Sequence, residues 1–186
     1  MPGPAFLRGD RVALHTVEDE DYAFFQRNWN HPAVRPGFGW PMPMGRDDIE
    51  NRVTGMVEAD DQEIFCVCAG GEPVGEAFLF DLDAHRGRVE IGYWIAPEAQ
   101  GNGYATEAAA LLVEYAVAER RLNKVVARVL AFNDGSRRII KRLGFRHVGR
   151  MREEFYVDGA YVDADLYGLL ADEWDGPDAV LAGGDD

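Results

Sequence analysis

Tyr93-Trp94-Ile95-Ala96-Pro97-Glu98-Ala99-Gln100-Gly101-Asn102-Gly103-Tyr104-Ala105-Thr106-Glu107 is the stretch whose reading decides the fold. It begins as an apolar strand end, breaks at Pro97, turns through two glycines and opens a long alanine-rich helical pattern. Glycines without Cβ atoms let successive backbone N–H groups converge on one anion, and the helix behind adds the positive end of its dipole. This predicts a pyrophosphate cradle. A dinucleotide loop needs a third glycine where Thr106 stands, and a P-loop needs Gly-Lys-Ser/Thr. Neither pattern is present, so the loop is of another kind.

Working outward toward the N-terminus, three β-rich runs precede the loop: Ile64 to Cys68, Val74 to Leu82 and Arg88 to Ile95. The turn-like segments between them, 69–73 and 83–87, predict an antiparallel meander. Upstream, alternation over residues 12–17 predicts a strand. Cap-type and acidic residues then open a helix through Trp29, stopped at Asn30-His31-Pro32. Residues 36–43 are read as irregular and aromatic, either lining a substrate groove or capping the core, and a second helix is expected from Asp47 to Ala59.

Working outward the other way, Ala105, Ala108, Ala109, Leu112, Tyr115 and Ala116 repeat at helical spacing. Val125 to Leu130 is a short strand, apolar except for Arg128, expected parallel to its spatial predecessor because a helix connects them. Asn133, Asp134 and Ser136 open a further helix that stops at Gly144. Phe145 begins another strand, and Asp158-Gly159 is a hairpin turn between Glu154–Val157 and Tyr161–Leu169. The tail Gly183-Gly184-Asp185-Asp186 is expected to be disordered.

The 186 residues fit one domain, 47% of them hydrophobic, with no apolar run near the roughly 20 residues of a membrane helix. Met1-Pro2-Gly3-Pro4 lacks the features of a secretion signal, which predicts a cytoplasmic protein with no membrane partner. The formal net charge of -14, with Lys124 and Lys141 the only lysines, argues against nucleic acid as a partner. Such an acidic, lysine-poor surface also suits a salt-rich, halophilic cytoplasm, where self-repulsion is screened. Cys66 and Cys68 share a strand face and are read as core, and the four histidines show no metal-ligand spacing, so no metal is expected.

Gln100-Gly101-Asn102-Gly103-Tyr104-Ala105 resembles the Q/R-x-x-G-x-G/A loop with which the GNAT superfamily of acetyltransferases binds acetyl-coenzyme A. The likeness extends through Ile91 to Pro97 and Thr106-Glu107-Ala108, then Asn133-x-x-Ser136, Leu143-Gly144-Phe145, Asp158-Gly159, Asp165-Leu166-Tyr167 and Glu173-Trp174. With Asn28-Trp29-Asn30-His31-Pro32 it spans roughly residues 6–174 and is similar to the RimJ/RimL group of ribosomal-protein N-terminal acetyltransferases. The resemblance implies an α+β fold in which helices flank a mixed, mostly antiparallel, V-shaped sheet. It makes residues 1–186 a single acetyltransferase domain with an acidic tail, working as a monomer or homodimer.

The same resemblance implies the site. Backbone near Trp94 and Ile95 would pair with pantetheine, Gln100 to Ala105 would hold the pyrophosphate, and Asn133 would bond cofactor or loop backbone. Arg138, among Arg137, Lys141 and Arg142, could meet the 3′-phosphate or simply face solvent. Glu90 is the first candidate base, as a carboxylate in an apolar strand, with solvent exposure or an arginine pair as the alternative; Glu76 is second. Many relatives carry a tyrosine acid where this chain has Ile140. Ser136 could assist the leaving sulfur or serve as a helix cap. Trp29, Phe38 and Trp40 are candidates for the acceptor site. The expected reaction is direct acetyl transfer to a primary amine, foremost a protein N-terminal α-amine, with a small-molecule amine as alternative; a non-catalytic coenzyme A-binding module is the rival of another class.

Overall fold

The computed structural model describes residues 2–182, so the expectation for the tail at Gly183 to Asp186 lies outside the described residues. Eight strands form one sheet in the order β1-β2-β3-β4-β5-β6-β8-β7. They are β1 (Ala5–Arg8), β2 (Ala13–His15), β3 (Glu63–Ala69), β4 (Glu72–Asp83), β5 (Arg88–Ile95), β6 (Lys124–Leu130), β7 (Arg146–Val157) and β8 (Ala160–Leu170). The helices are α1 (Tyr22–Trp29), α2 (Arg46–Glu58), α3 (Tyr104–Glu114), α4 (Asp134–Arg142) and α5 (Pro177–Ala182).

All neighbouring strands are antiparallel except β5 and β6, which the α3 crossover makes parallel. That one parallel pair is short. Arg88, Val89 and Glu90 lie opposite Lys124, Val125 and Val126, and beyond them neither strand pairs with the other. The sheet therefore opens into a V, and the half of the β5 backbone groups that point away from β4 has no strand partner from Ile91 onward.

Two cores follow from the period-two alternation of the strands. On one face Val89, Ile91 and Ile95 of β5 pack with Ala108, Leu112 and Ala116. On the other, Trp94 joins Phe25 and Trp29 of α1 with Ile49, Val53 and Met56 of α2. Cys66 and Cys68 lie in this second core as free thiols, as expected of packing residues. Gly92 is required between the two faces, because a Cβ there would lie 2.3 Å from the Phe78 ring.

The structure departs from the sequence reading in several places. β1 and α5 were not anticipated, and β8 inserts between β6 and β7. Residues 35–38 are not irregular but form a 3₁₀ turn, ended by Gly39 at φ 63°. Asp158 (φ 49°) and Gly159 (φ 89°) make the expected hairpin turn with both central residues left-handed.

Candidate active site

The opening of the V is a groove of about 1230 Å³ that passes between β5 and β6 and reaches both faces of the sheet. Its first part is the loop after β5. Gly101 (φ 81°) and Gly103 (φ 78°) adopt left-handed backbone that a side chain would strain. The N–H groups of Gly103, Tyr104 and Ala105 donate to no protein acceptor among the described residues, and they stand at the positive end of the eleven-residue helix α3. Free convergent donors at a helix start fit a pyrophosphate, so the residues present fit acetyl-coenzyme A.

The side chains of this loop shape it rather than face a ligand. Gln100 Nε2 donates to the Ile95 carbonyl at 2.9 Å, and Asn102 Nδ2 donates to the Ala99 carbonyl at 3.0 Å. The sequence reading missed Arg11. It comes from the β1–β2 turn, donates to the Asn102 carbonyl at 3.3 Å and closes on the position a Gly103 Cβ would take. Glu107, fully buried in the first turn of α3, accepts from the Arg11 and Val12 backbone N–H groups at 2.8 and 3.3 Å. The β1–β2 turn and the cradle are thus fixed to each other.

On α4, Asn133 Oδ1 accepts the Ser136 N–H at 3.0 Å. Asn133 is therefore the helix cap, which corrects the alternative that Ser136 caps, and it also lines the groove. The Ser136 hydroxyl instead meets the Tyr93 hydroxyl at 3.1 Å. Arg137 pairs with Asp134 and the Ala131 carbonyl, and Arg142 donates to the Val180 carbonyl of α5. Arg138 lines the groove with no ion-pair or hydrogen-bond partner among the described residues. Ile140 is buried in the core, so α4 offers no phenol there.

On the opposite face the two candidate carboxylates have different surroundings. Glu76 is fully buried; its Oε2 accepts the Trp29 and Trp94 indole N–H groups at 2.6 and 3.1 Å, and Arg52 Nη2 lies 2.6 Å from Oε1. It lies outside the groove lining. Glu90 is 2% exposed and lines the groove. Arg128 Nη2 donates to its Oε2 at 3.1 Å, while Oε1 has no protein donor among the described residues and is not sealed off. Burial raises the Glu90 pKa, with Arg128 opposing. The alternative of an arginine pair is thus realised without closing the second oxygen.

Trp29, Phe38 and Trp40 all reach one wall of the groove. Trp29 is buried, packs on Phe38 at 4.8 Å and carries Arg52 over its ring at 4.5 Å, so its surroundings are mostly structural. Phe38 is half-buried and Trp40 is 40% exposed. The sequence reading also missed Arg128 as the Glu90 partner, although the signal was present: each is the lone charge in the apolar middle of its strand, on strands expected to be neighbours. Among the described residues no cluster of three histidine, cysteine or acidic side chains is placed to hold a metal, and no helix is long and apolar enough to cross a membrane.

Comparison with known proteins agrees with this geometry. The family model described as an acetyltransferase (GNAT) domain matches residues 11–146. Spermidine N(1)-acetyltransferase of Escherichia coli (strain K12) is 34% identical over 154 residues, 82% of each chain. YdaF of Bacillus subtilis (strain 168), named provisionally as a ribosomal N-acetyltransferase, is 40% identical over 106 residues, a match that covers 57% of this chain and 58% of that protein. The structure of Mycobacterium smegmatis RimJ in complex with CoA-disulfide superposes with a TM-score of 0.84 at 26% identity, covering 98% of this chain and 94% of that one. With a family model spanning well over half its length, the chain belongs to the GNAT family and is an acyl-CoA-dependent N-acetyltransferase whose donor is acetyl-CoA.

Proposed function

We propose that the protein transfers the acetyl group directly to a primary amine in a ternary complex, with Glu90 as the base and Ser136 beside the leaving sulfur. The observation that carries this reading is the open Oε1 of Glu90, the accessible oxygen of an otherwise buried carboxylate, with no protein donor among the described residues, on the wall of a through-sheet groove. Acetyl-CoA supplies the thioester carbonyl and the leaving thiolate. Gly101 to Ala105 hold its pyrophosphate through backbone N–H groups, and the unpaired edge of β5 near Trp94 and Ile95 pairs with its amides. Arg138 offers a cation to the 3′-phosphate. Such local charge matters in a chain of net charge -14.

Glu90 accepts the proton that the amine must lose as the N–C bond forms, directly or through one water. A raised pKa makes it the stronger base for that step. The Ser136 hydroxyl stabilises the sulfur as the C–S bond breaks, and the proton taken from the amine balances the one the released thiolate later acquires. Glu76, fully buried and outside the groove lining, is not proposed as the base.

The leading acceptor is a protein N-terminal α-amine, supported by the near full-length likeness to RimJ. A small-molecule amine is the second reading, supported by the 34% identity to a spermidine acetyltransferase. Either acceptor enters past Phe38 and Trp40. Residues 1–186 are proposed to act as one domain, in a salt-rich cytoplasm. The test is thiol release from acetyl-CoA with N-terminal peptides, polyamines, amino acids and aminoglycosides, at low and at molar salt. Turnover of polyamines alone overturns the leading acceptor; turnover of no amine overturns the reading as a whole.

A further inference from the structure

Ser136 can help a departing sulfur only if its single proton is aimed at it, and a free hydroxyl rotor has three staggered choices. The surroundings remove that freedom. The Asn133 carbonyl oxygen already holds the Ser136 backbone N–H, and the only hydrogen bond the Ser136 hydroxyl makes among the described residues is to Tyr93. Tyr93 is half-buried against the α3 core, and burial raises its pKa above that of an ordinary tyrosine. Its phenol is therefore protonated throughout the working range and has one proton to donate.

We infer that Tyr93 is a positioning residue: its phenol donates to Ser136 Oγ and so directs the Ser136 proton into the gap between β5 and β6, where the sulfur leaves. A lone pair of Oγ occupied by the Tyr93 proton leaves the Ser136 proton to the remaining acceptor, and a donor that is itself accepting is polarised toward stronger donation. No proton crosses from Tyr93; the sulfur departs as a thiolate that is hydrogen-bonded by Ser136. The alternation of β5 places the two halves of the chemistry on opposite faces of one strand. Tyr93 shares the face of Val89, Ile91 and Ile95, while Glu90 shares that of Trp94. Three residues apart, they are separated by about 10 Å along the strand. Amine deprotonation and sulfur stabilisation then act from either side of the opening without competing for one proton.

This inference rests on the direct-transfer reading, and the experiment separates the two. Initial rates of acetyl-CoA turnover are measured for Tyr93→Phe, Ser136→Ala, the double variant and Glu90→Gln, with thermal unfolding of each. Removing one aimed hydrogen bond is expected to lower kcat about tenfold in Tyr93→Phe, with KM for acetyl-CoA and the unfolding temperature unchanged. The double variant is expected to be no slower than Ser136→Ala. Full kcat in Tyr93→Phe, multiplicative losses in the double variant, or a loss confined to KM overturns the positioning role. The direct-transfer reading is judged separately by Glu90→Gln, which stands or falls whatever Tyr93 does.

Discussion

The two ends of the groove are made of different material. The donor end is backbone: the N–H groups after Gly101 and Gly103, the start of α3 and the unpaired edge of β5. The acceptor end is side chains from distant elements, with Trp29 and Phe38 on one wall, Arg52 tied to Glu76, and Arg128 tied to Glu90. A backbone site depends first on where glycine is allowed, and side chains such as Gln100, Asn102 and Arg11 hold its shape instead of facing the ligand. A side-chain site depends on which residues the fold happens to bring together, and it can be remodelled for a new acceptor while the donor end stays intact.

The strongest way to break this division is to put a side chain into the backbone end. Gly103→Glu places a Cβ 2.8 Å from the Arg11 guanidinium on left-handed backbone and adds a negative charge beside a pyrophosphate. Like-charge juxtaposition costs several kcal/mol, so calorimetry is expected to show coenzyme A affinity lowered by more than about a hundredfold. The backbone strain itself costs about 1–2 kcal/mol and the residue is exposed, so the fold persists. Unchanged affinity would place the cradle elsewhere.

The mirror experiment is Glu90→Gln at the acceptor end. It removes the base and nothing that touches the donor, so kcat is expected to fall by about 10²–10⁴ while coenzyme A affinity holds. An intact kcat would transfer the role to another group or to water. The variant also has a stability signature with a definite sign. Because burial raises the Glu90 pKa, the contribution of this group is fully present below the unfolded carboxylate pKa and is lost as pH rises through the folded one. Glu90→Gln is therefore expected to gain stability relative to the parent as pH rises across that window, read by denaturant unfolding at several pH values.

Glu76 is the control that sharpens the contrast, since it is a buried carboxylate with an arginine but no access to the groove. Glu76→Gln leaves Arg52 without its counter-charge between the Trp29 and Phe78 rings. Breaking a buried pair by removing one partner costs about 3–5 kcal/mol, so urea unfolding is expected to show a loss of that order. Turnover per folded molecule at low temperature is expected to stay near that of the parent. A catalytic defect larger than the folding defect would return Glu76 to the list of bases.

The difference between the two ends also explains what could be read without a structure. Tyr93 to Glu107 was legible because a strand end, a proline, two glycines and a helical stripe are all local, and local order fixes a backbone cradle. The antiparallel run β3–β5 and the parallel step to β6 were legible for the same reason. β1 was missed because Ala5-Phe6-Leu7-Arg8 is only four residues long and its partner is chosen by tertiary packing; α5 was missed although Pro177 stands at its start. Insertion of β8 beside β6 is a choice among strand orders that no hairpin signal encodes. Tyr93 facing Ser136 and Arg128 facing Glu90 join residues 43 and 38 positions apart. Such pairs become visible only when strand register is known.

The finest test concerns that last pair. Arg128 is the guanidinium that opposes burial in setting the Glu90 pKa, both by its charge and by its hydrogen bond. Arg128→Gln keeps a donor near Oε2 but removes the charge, so the Glu90 pKa rises further. A base is active only when ionised, so the acid limb of the pH–rate profile is expected to move to higher pH, while the rate on the plateau changes little. Glu76→Gln is expected to leave that limb in place, because its carboxylate takes no part in the reaction. If the limb follows Glu76 instead of Arg128, the assignment of chemistry to the open carboxylate and structure to the enclosed one is reversed. If it follows neither, proton removal from the amine belongs to a group outside both pairs.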